Sequence, residues 1–341
     1  MSTTSTDSST TANTTPTIPD APTMADVLLA RRVVNRYLTP TPVLRPEGLA
    51  RELGFEVVLK CESLQPIGAF KVRGGIYLMS QLDADERARG VVSASTGNHA
   101  QSIAYAAREF GVRAVIFMPE NPNPVKLAAT KALGAEVVQF GHDFDDCRIE
   151  AGQYAERKGM RFIHSANEPH LIAGVGTYAL ELIEEAPDLD VVIVPVGGGS
   201  GVCGTALVFK TLRPETRVIA VQAEGMPVVF RSFHEKQMLS LEGGSTWAEG
   251  LATRVAFELP YAMMQELVDD VQTVSDEEMR QAMLVLLERA HVVAEGAGAA
   301  SLALARKLAS ELRGKRVGLI VSGGNVTRET VQRALSDDAN W

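Results

Sequence analysis

The stretch "VPVGGGSGVCG", residues 194–204, joins an apolar strand pattern to a helical pattern through five small residues: Gly197, Gly198, Gly199, Ser200 and Gly201. Backbone N–H groups in such a loop can converge on an anion at the positive end of the helix. A tight turn needing positive φ would also explain glycine, but it needs fewer small residues. The loop therefore favours a phosphate site. Because it contains no lysine or arginine, it is unlike the loops that bind nucleoside triphosphates.

On both sides of this loop, short runs rich in Val and Ile alternate with longer stretches of helical period. The predicted strands are 91–94, 113–118, 135–140, 191–196, 217–223 and 316–321, and the predicted helices are 98–109, 123–133, 144–158 and 201–212. Such alternation predicts parallel sheets, and its restart near residue 191 predicts two α/β domains. The segment 242–260 has no clear period and is expected to cover the mouth of a site.

Composition excludes several classes of function. The chain has 341 residues, 45% of them hydrophobic, and its 33 basic and 42 acidic residues give a net charge of -9, which argues against nucleic acid as a partner. Three separated cysteines predict a reducing, cytoplasmic location, and neither a signal peptide nor a membrane span is predicted. Residues 1–23, rich in Ser, Thr and Pro, predict a disordered tail.

The same glycine loop also matches the sequence pattern of a dinucleotide-binding site. Residues 199–204 satisfy the G-x-G-x-x-G pattern of dinucleotide-binding folds, with Glu224 about 20 residues further on. A nicotinamide-dependent oxidoreductase would use this loop, but it would leave two other loops of the chain unexplained.

The first of these loops, "SASTGNHAQS" at 93–102, follows a predicted strand and begins a helix. Its hydroxyls and free amides suit a small anion such as a carboxylate, although simple N-capping by Ser95 or Thr96 explains them equally well. The second, "SGGNV" at 322–326, follows the strand 316–321. Carboxyl ends of parallel strands line the ligand crevice of open α/β sheets, so this loop is a further candidate.

Lys71 lies in "ESLQPIGAFKVRGG", residues 62–75, where few other charges occur. A poorly solvated lysine amine has a lowered pKa and can bind a carbonyl covalently or act as a base. A surface lysine is the usual alternative, so the assignment depends on the loops above. Arg73 is a candidate for contact with a phosphate, but it is interpreted as a solvated or inter-subunit ion-pair residue, the commoner role.

Together these motifs resemble the fold-type II enzymes that use pyridoxal 5'-phosphate (PLP), the tryptophan-synthase-β-like family, and most of all its serine/threonine dehydratases and serine racemases. The motifs are "SLQPIGAFKVRGG", "STGNHAQSIAYAA", "PNPVKLAATKALGAEVV", "PVGGGSGVCG" and "VSGGNV". The resemblance implies two doubly wound three-layer α/β domains with PLP in the cleft between them. The large domain would comprise 24–87 and 166–341, and the small, carboxylate-binding domain 88–165.

The resemblance also implies roles for single residues. Lys71 would bind the cofactor aldehyde covalently and serve as the catalytic base, Phe70 would pack beside the ring, Asn98 would bond its phenolic oxygen, and Ser322 would face its nitrogen. Residues 197–201 would hold the phosphate. Ser95, Thr96, Gly97, Asn98 and His99 would bind the substrate carboxylate.

The implied reaction is β-elimination from an L-3-hydroxy amino acid such as threonine or serine, giving a 2-keto acid and ammonia. A serine or amino-acid racemase and a 3-hydroxyaspartate dehydratase remain alternatives. In racemases a serine at the position of Thr96 acts as the second acid/base, and the hydroxyl of Thr96 makes it the second candidate catalytic residue beside Lys71. An oxidoreductase and a non-catalytic PLP or amino-acid sensor are remoter. A homodimer or homotetramer is expected.

Two departures from the family pattern limit the resemblance. Glu224 matches one ligand of a divalent-cation site found in part of the family, but no second acid follows, so no metal is predicted. Glu249 replaces the aspartate common in near relatives, which leaves recognition of the substrate's β-side open. Since the chain ends soon after 322–326, no regulatory domain is expected.

Overall fold

The computed structural model describes residues 18, 20–122, 124–142 and 144–336. Most of the predicted tail, 1–23, lies outside the described residues. At its end, Thr23 caps the first helix: its hydroxyl accepts from the backbone N–H of Asp26, and the Asp26 carboxylate accepts from the N–H of Thr23. This reciprocal capping box fixes where the helix begins.

The described residues form ten strands in two sheets. The larger sheet has the spatial order β1-β2-β10-β7-β8-β9, and the smaller sheet has the order β5-β4-β3-β6. All neighbouring strands are parallel except β1 and β2. The strands are β1 Val43–Leu44, β2 Glu56–Cys61, β3 Val91–Ala94, β4 Ala114–Met118, β5 Glu136–Gln139, β6 Arg161–Phe162, β7 Val191–Pro195, β8 Arg217–Ala223, β9 Asp270–Val274 and β10 Arg316–Val321.

Helices connect these strands. They are α1 Met24–Val34, α2 Glu47–Leu53, α3 Lys71–Gln81, α4 Ala84–Arg89, α5 Asn98–Phe110, α6 Pro124–Ala132, α7 Phe144–Lys158, α8 Pro169–Glu185, α9 Ser200–Leu212, α10 Val228–Glu235, α11 Glu258–Leu267, α12 Asp276–Val285, α13 Gly296–Lys307, α14 Ala309–Leu312 and α15 Arg328–Ala334. Short 3-10 turns occupy Glu62–Leu64 and Glu249–Leu251, and a π-helical turn, Leu286–Ala290, follows α12.

Both faces of the larger sheet are covered. Along β7, Val192 and Val194 belong to one apolar core, whereas Val191 and Ile193 belong to a second core on the opposite face. Strands buried on both faces read as continuous apolar runs, which is why "VVIVPV" shows no alternation. The doubly wound three-layer α/β fold is therefore confirmed.

The smaller sheet shares a core with the larger one. Val91 and Ile116 belong to the same apolar cluster as Val192, while Val92 and Phe117 pack on the other face with residues of α7. One hydrophobic core thus runs from sheet to sheet, and it holds the two sheets together beneath the ends of their strands.

Strand order brings distant parts of the chain to one edge. Because β2, β10 and β7 are parallel neighbours, their carboxyl ends lie side by side. The segments that follow them contain Lys71, Ser322 and the glycine loop 197–201. The loop 95–97 follows β3 of the smaller sheet. The crevice outside such strand ends is where open α/β sheets bind ligands.

Beneath this edge lies a buried ion-pair network. The guanidinium of Arg73, fully buried, donates to both carboxylate oxygens of Glu62 and of Glu181 over 2.7–2.8 Å. The buried Lys60 donates to Glu181 over 2.5 Å and to the carbonyl of Thr41 over 2.8 Å. The prediction that Arg73 is solvated or inter-subunit is therefore wrong: its charge is balanced inside the fold, between β2, α3 and α8.

Candidate functional site

A cavity of about 460 Å³ opens between the two sheets. All the site residues predicted from the sequence line it: Phe70, Lys71, Ser95, Thr96, Gly97, Asn98, His99, Gly197, Gly198, Gly199, Ser200, Gly201 and Ser322. The segment 242–260, expected at the mouth, contributes residues from Gly244 to Phe257. The fold therefore assembles one site from loops far apart in sequence.

Lys71 is the first residue of α3, and its amine points at the glycine loop. The Nζ atom donates to the Ser200 hydroxyl over 2.9 Å and lies 3.5 Å from the carbonyl oxygen of Ser165. Burial lowers the pKa of Lys71 to about 8, because water is not available to solvate the ammonium. A useful fraction of the amine is therefore neutral near pH 8, as a nucleophile or base requires.

The chain holds Lys71 against the other loops by backbone contacts. The N–H of Phe70 donates to the carbonyl of Ser322 over 3.1 Å, and the Ser102 hydroxyl donates to the carbonyl of Lys71 over 2.6 Å. The first bond ties α3 to the end of β10, and the second ties it to α5. The position of the amine relative to Ser322 is thus set by main-chain geometry.

The glycine loop is both a tight turn with a positive φ and a set of free backbone N–H groups suited to a phosphate, the two explanations that the sequence offered. Gly199, with φ +102°, is the N-cap of α9, and no side chain caps this helix. Gly197 is needed for a different reason, since a Cβ there would lie 2.2 Å from the carbonyl oxygen of Gly250. Backbone N–H groups at the start of α9 are consequently left for an anion at the positive end of the helix.

The loop after β3 leaves a second helix start without a side-chain cap. The N-cap of α5 is Gly97, and no side chain caps the helix, so N-capping by Ser95 or Thr96 does not occur. Instead, the Ser95 hydroxyl accepts from the N–H of Gly97 over 3.2 Å. The uncapped first turn of α5 suits a carboxylate.

His99 is buried in this turn, and its ring is neutral. Burial and the nearby Lys71 hold its pKa well below the usual range. Because the Ser93 hydroxyl donates to the carbonyl of Ile163 over 2.8 Å, its oxygen accepts from Nε2–H of His99 over 3.0 Å. Nδ1 is then an acceptor, which has no partner among the described residues. The ring cannot donate from Nδ1, so His99 can serve a carboxylate through its backbone N–H.

Two residues that the sequence reasoning missed orient Asn98. Its Nδ2 donates to Glu295 over 2.6 Å, and its Oδ1 accepts from Asn325 over 2.8 Å. Burial raises the pKa of Glu295 to about 7. Asn325 lies within the quoted "SGGNV", and Glu295 directly precedes the first residue of α13. The amide of Asn98 is therefore held in one orientation.

These groups fit PLP. The cavity contains a lysine amine with a lowered pKa, an uncapped helix start for a phosphate, and the hydroxyl of Ser322, which lies 3.4 Å from the carbonyl of Ala297. The ring of Phe70 lies beside Gly201, where a Cβ would approach it to 3.3 Å. A phosphorylated aldehyde thus finds in one cavity the groups that would hold each of its ends.

The described residues contain no group of three or more His, Cys, Asp or Glu side chains arranged to hold a metal ion, and the absence of a metal remains a prediction. None of their helices combines the length and the apolar character needed to cross a bilayer.

Comparisons with known proteins agree with this geometry. The family model described as pyridoxal-phosphate dependent enzyme matches residues 34–323. The chain is 40% identical to an L-threonine ammonia-lyase of Thermotoga maritima, over 92% of this chain and 78% of that protein. It is 38% identical to an L-threo-3-hydroxyaspartate ammonia-lyase of Saccharomyces cerevisiae, over 92% and 97%. The structure of maize serine racemase aligns with a TM-score of 0.87 and 31% identity, over 92% of this chain and 97% of that one.

Proposed function

The chain belongs to the pyridoxal-phosphate dependent enzymes, and we propose that it is a lyase acting on an L-3-hydroxy amino acid such as L-threonine or L-serine. The products are a 2-keto acid and ammonia. The observation that carries the proposal is the Lys71 amine, which lies between two uncapped helix starts in one cavity. PLP is the cofactor.

Each end of the cofactor has a proposed partner. Lys71 binds its aldehyde, residues 197–201 bind its phosphate through backbone N–H groups, and Phe70 packs beside its ring. Asn98, oriented by Glu295 and Asn325, donates to the phenolic oxygen. Ser322 faces the ring nitrogen with a hydroxyl in place of a carboxylate, so the nitrogen is not held protonated.

The substrate is oriented by the first turn of α5. Residues 95–99 bind its carboxylate through hydroxyl and backbone N–H groups, which places the α-carbon near Lys71. When bound, PLP withdraws electrons from the substrate and so stabilises negative charge at the α-carbon. The substrate's amino group would displace Lys71 from the cofactor aldehyde, and the freed, neutral amine of Lys71 would then remove the α-proton. Loss of the β-hydroxyl as water leaves an enamine, which hydrolyses to keto acid and ammonia.

The residues on the two sides of the substrate's α-carbon favour elimination over racemisation. Racemisation needs a second acid/base opposite Lys71, and Thr96 offers only a β-branched side chain with restricted χ1. Elimination needs no such group. The neutral Ser322 adds to this preference. It does not hold the cofactor's ring nitrogen protonated, so the ring is a weaker electron sink, which favours rapid loss of the β-substituent.

We also propose a cytoplasmic, homo-oligomeric protein. Its three cysteines are buried free thiols, which suits a reducing compartment. Leu64 and Val293 are large apolar side chains on the surface, 61% and 53% exposed, and suit contact with a second copy. Light scattering of the purified protein measures the oligomeric state.

The experiment incubates the PLP-loaded enzyme with L-threonine and L-serine in turn and measures keto acid, ammonia and D-amino acid together. We expect keto acid to exceed D-isomer, and Lys71→Ala to abolish both while the protein stays folded. D-isomer forming faster than keto acid would establish the racemase alternative. Turnover by Lys71→Ala at the wild-type rate would refute the assignment of the base.

A further inference from the structure

Lys126 and Glu249 form an ion pair inside the cavity, outside the groups used above. Lys126 lies on α6 of the smaller sheet and is 9% exposed, whereas Glu249 begins the 3-10 turn of the segment 242–260. The pair therefore joins the two sheets across the site. Both residues also line a second, adjoining cavity of about 400 Å³, so they form part of the wall between the two cavities.

The turn that carries Glu249 is held against the site. The Thr246 hydroxyl donates to the Asp276 carboxylate over 2.5 Å, and the N–H of Ala248 donates to the Thr246 oxygen over 3.1 Å. On its other side, the carbonyl of Gly250 contacts the glycine loop so closely that only glycine fits at 197. Glu249 is thus placed by neighbours on both sides.

The pair lines the part of the cavity wall that the groups assigned to the cofactor and to the α-carboxylate leave over. Under the proposed function the α-carboxylate binds at 95–99 and the amino group takes the place of Lys71 on the cofactor, so the β-substituent is directed toward this remaining wall. Among the described residues, the charged side chains there are Lys126, Glu249, Glu295 and Arg254. Arg254 is exposed to solvent, which screens its charge. Lys126 is therefore the most shielded cation that a second substrate carboxylate would meet.

We propose that Glu249 determines substrate class: by neutralising Lys126 it excludes a second carboxylate, so the site takes 3-hydroxy amino acids with an uncharged β-substituent. This inference rests on the proposed function. A dicarboxylic substrate would have to compete with Glu249 for Lys126, whose side chain is only 11% exposed, and its second carboxylate would lie beside the like charge of Glu249. Threonine and serine bring no such charge.

The test compares kcat/KM for L-threonine and L-threo-3-hydroxyaspartate in wild type and Glu249→Gln. We expect wild type to prefer threonine, and the variant to shift the ratio toward the dicarboxylate by about tenfold, since Lys126 has then lost the carboxylate of Glu249. Glu249→Asp should keep the wild-type ratio. In Lys126→Met/Glu249→Gln the gain should disappear. Glu242→Gln, an exposed acid of the preceding loop that does not line the cavity, controls for the change in net charge.

A binding measurement separates charge selection from turnover. Succinate and butyrate have the same carbon chain but differ by one carboxylate, and their affinities for the PLP-loaded protein are measured by calorimetry. Glu249→Gln should strengthen the binding of succinate and leave the binding of butyrate unchanged.

If the pair only held the two sheets together, kcat/KM for both substrates and the affinity for both probes would fall alike in the variant, which would overturn the inference. A wild-type preference for 3-hydroxyaspartate would overturn it too. If wild type released keto acid from neither substrate, the proposed function would fail while the two probes still tested the role of Glu249.

Discussion

At the scale of the single residue, Glu295 makes stability depend on pH. Its pKa is raised from 4.5 to about 7 by burial, so the folded protein binds this proton more tightly than the unfolded chain does. The resulting stabilisation is complete below pH 4.5 and is lost as pH rises through 7. Glu295→Gln keeps an acceptor for Asn98 but has no charge to bury. We therefore expect the cofactor-free variant to be about 3 kcal/mol more stable than wild type at pH 8, with the difference shrinking toward pH 5.

Urea unfolding at pH 5 and pH 8 measures this difference, with Glu242→Gln as the control at an exposed position. A difference between wild type and Glu295→Gln that did not change with pH would show that Glu295 does not titrate in this range. The absorbance of bound PLP reports separately whether Asn98 keeps its orientation in the variant.

Residue roles were predictable where the sequence shows an unusual setting and were missed where only the fold creates one. Lys71 stands out because few charges surround it in "GAFKVRGG". Glu295 does not stand out, because its partner Asn98 lies 197 residues away in the chain, and Arg73 was misread because Glu181, which completes its pairing with the nearby Glu62, lies 108 residues away. A buried charge is compensated by groups that strand order brings near it, and a single sequence does not display that pairing.

At the scale of the element, Gly199 lets the strand β7 turn into α9. Its φ of +102° is strained for other residues, and a Cβ would lie 2.5 Å from the Cβ of Pro260. We expect Gly199→Ala to weaken PLP binding at least tenfold, because the first N–H groups of α9 would be displaced from the phosphate. Titration of cofactor-free protein with PLP, followed by absorbance, measures the affinity. Gly152→Ala, in α7 with open space around its Cβ, is the matched control and should bind PLP normally.

The ion-pair network gives a second prediction for packed elements. Arg73→Met leaves Glu62 and Glu181 buried with less positive charge to balance them, so we expect a loss of about 3–5 kcal/mol in unfolding free energy. Arg31 makes a similar bidentate pair with Glu184, but its side chain is 33% exposed, and Arg31→Met should cost less than about 1 kcal/mol. Chemical denaturation of both cofactor-free variants compares them. Equal losses would mean that burial of the network does not set its contribution.

Elements were predicted best where local signals agree. The strands 217–223 and 316–321 and the helix 144–158 have the predicted bounds, since each combines a clear period with flanking breaks. The G-x-G-x-x-G pattern correctly indicates a strand, a turn and a helix, but it does not identify the cofactor. That choice depends on Lys71 and the loop 95–98, which lie far from it in sequence.

At the scale of the whole molecule, the two sheets contribute different ligands to the site. The proposed cofactor ligands Phe70, Lys71, 197–201 and Ser322 follow strands of the larger sheet, and Asn98 is the one from the smaller sheet. The proposed substrate ligands 95–99 follow β3 of the smaller sheet. The predicted division into 24–87 with 166–341, and 88–165, would then separate cofactor binding from substrate binding, and it stays a prediction.

Removal of PLP tests this unequal distribution. A ligand stabilises the segments that it holds in the native state, and amide exchange detects the loss of that stabilisation segment by segment. We expect cofactor-free protein to exchange faster in 197–201, in the first turns of α9 and α3, and at Ser322. The strands β4 and β5 should be unaffected, because no proposed cofactor ligand follows them. Hydrogen exchange with mass spectrometry, comparing the loaded and cofactor-free forms, measures both regions in one experiment.

The apolar core shared by the two sheets provides a route to the opposite result, because it could transmit the loss of stabilisation from the larger sheet to the smaller one. Equal acceleration in β4 and in the start of α9 would show that the sheets respond to PLP as one unit, and the proposed division of labour would then be wrong.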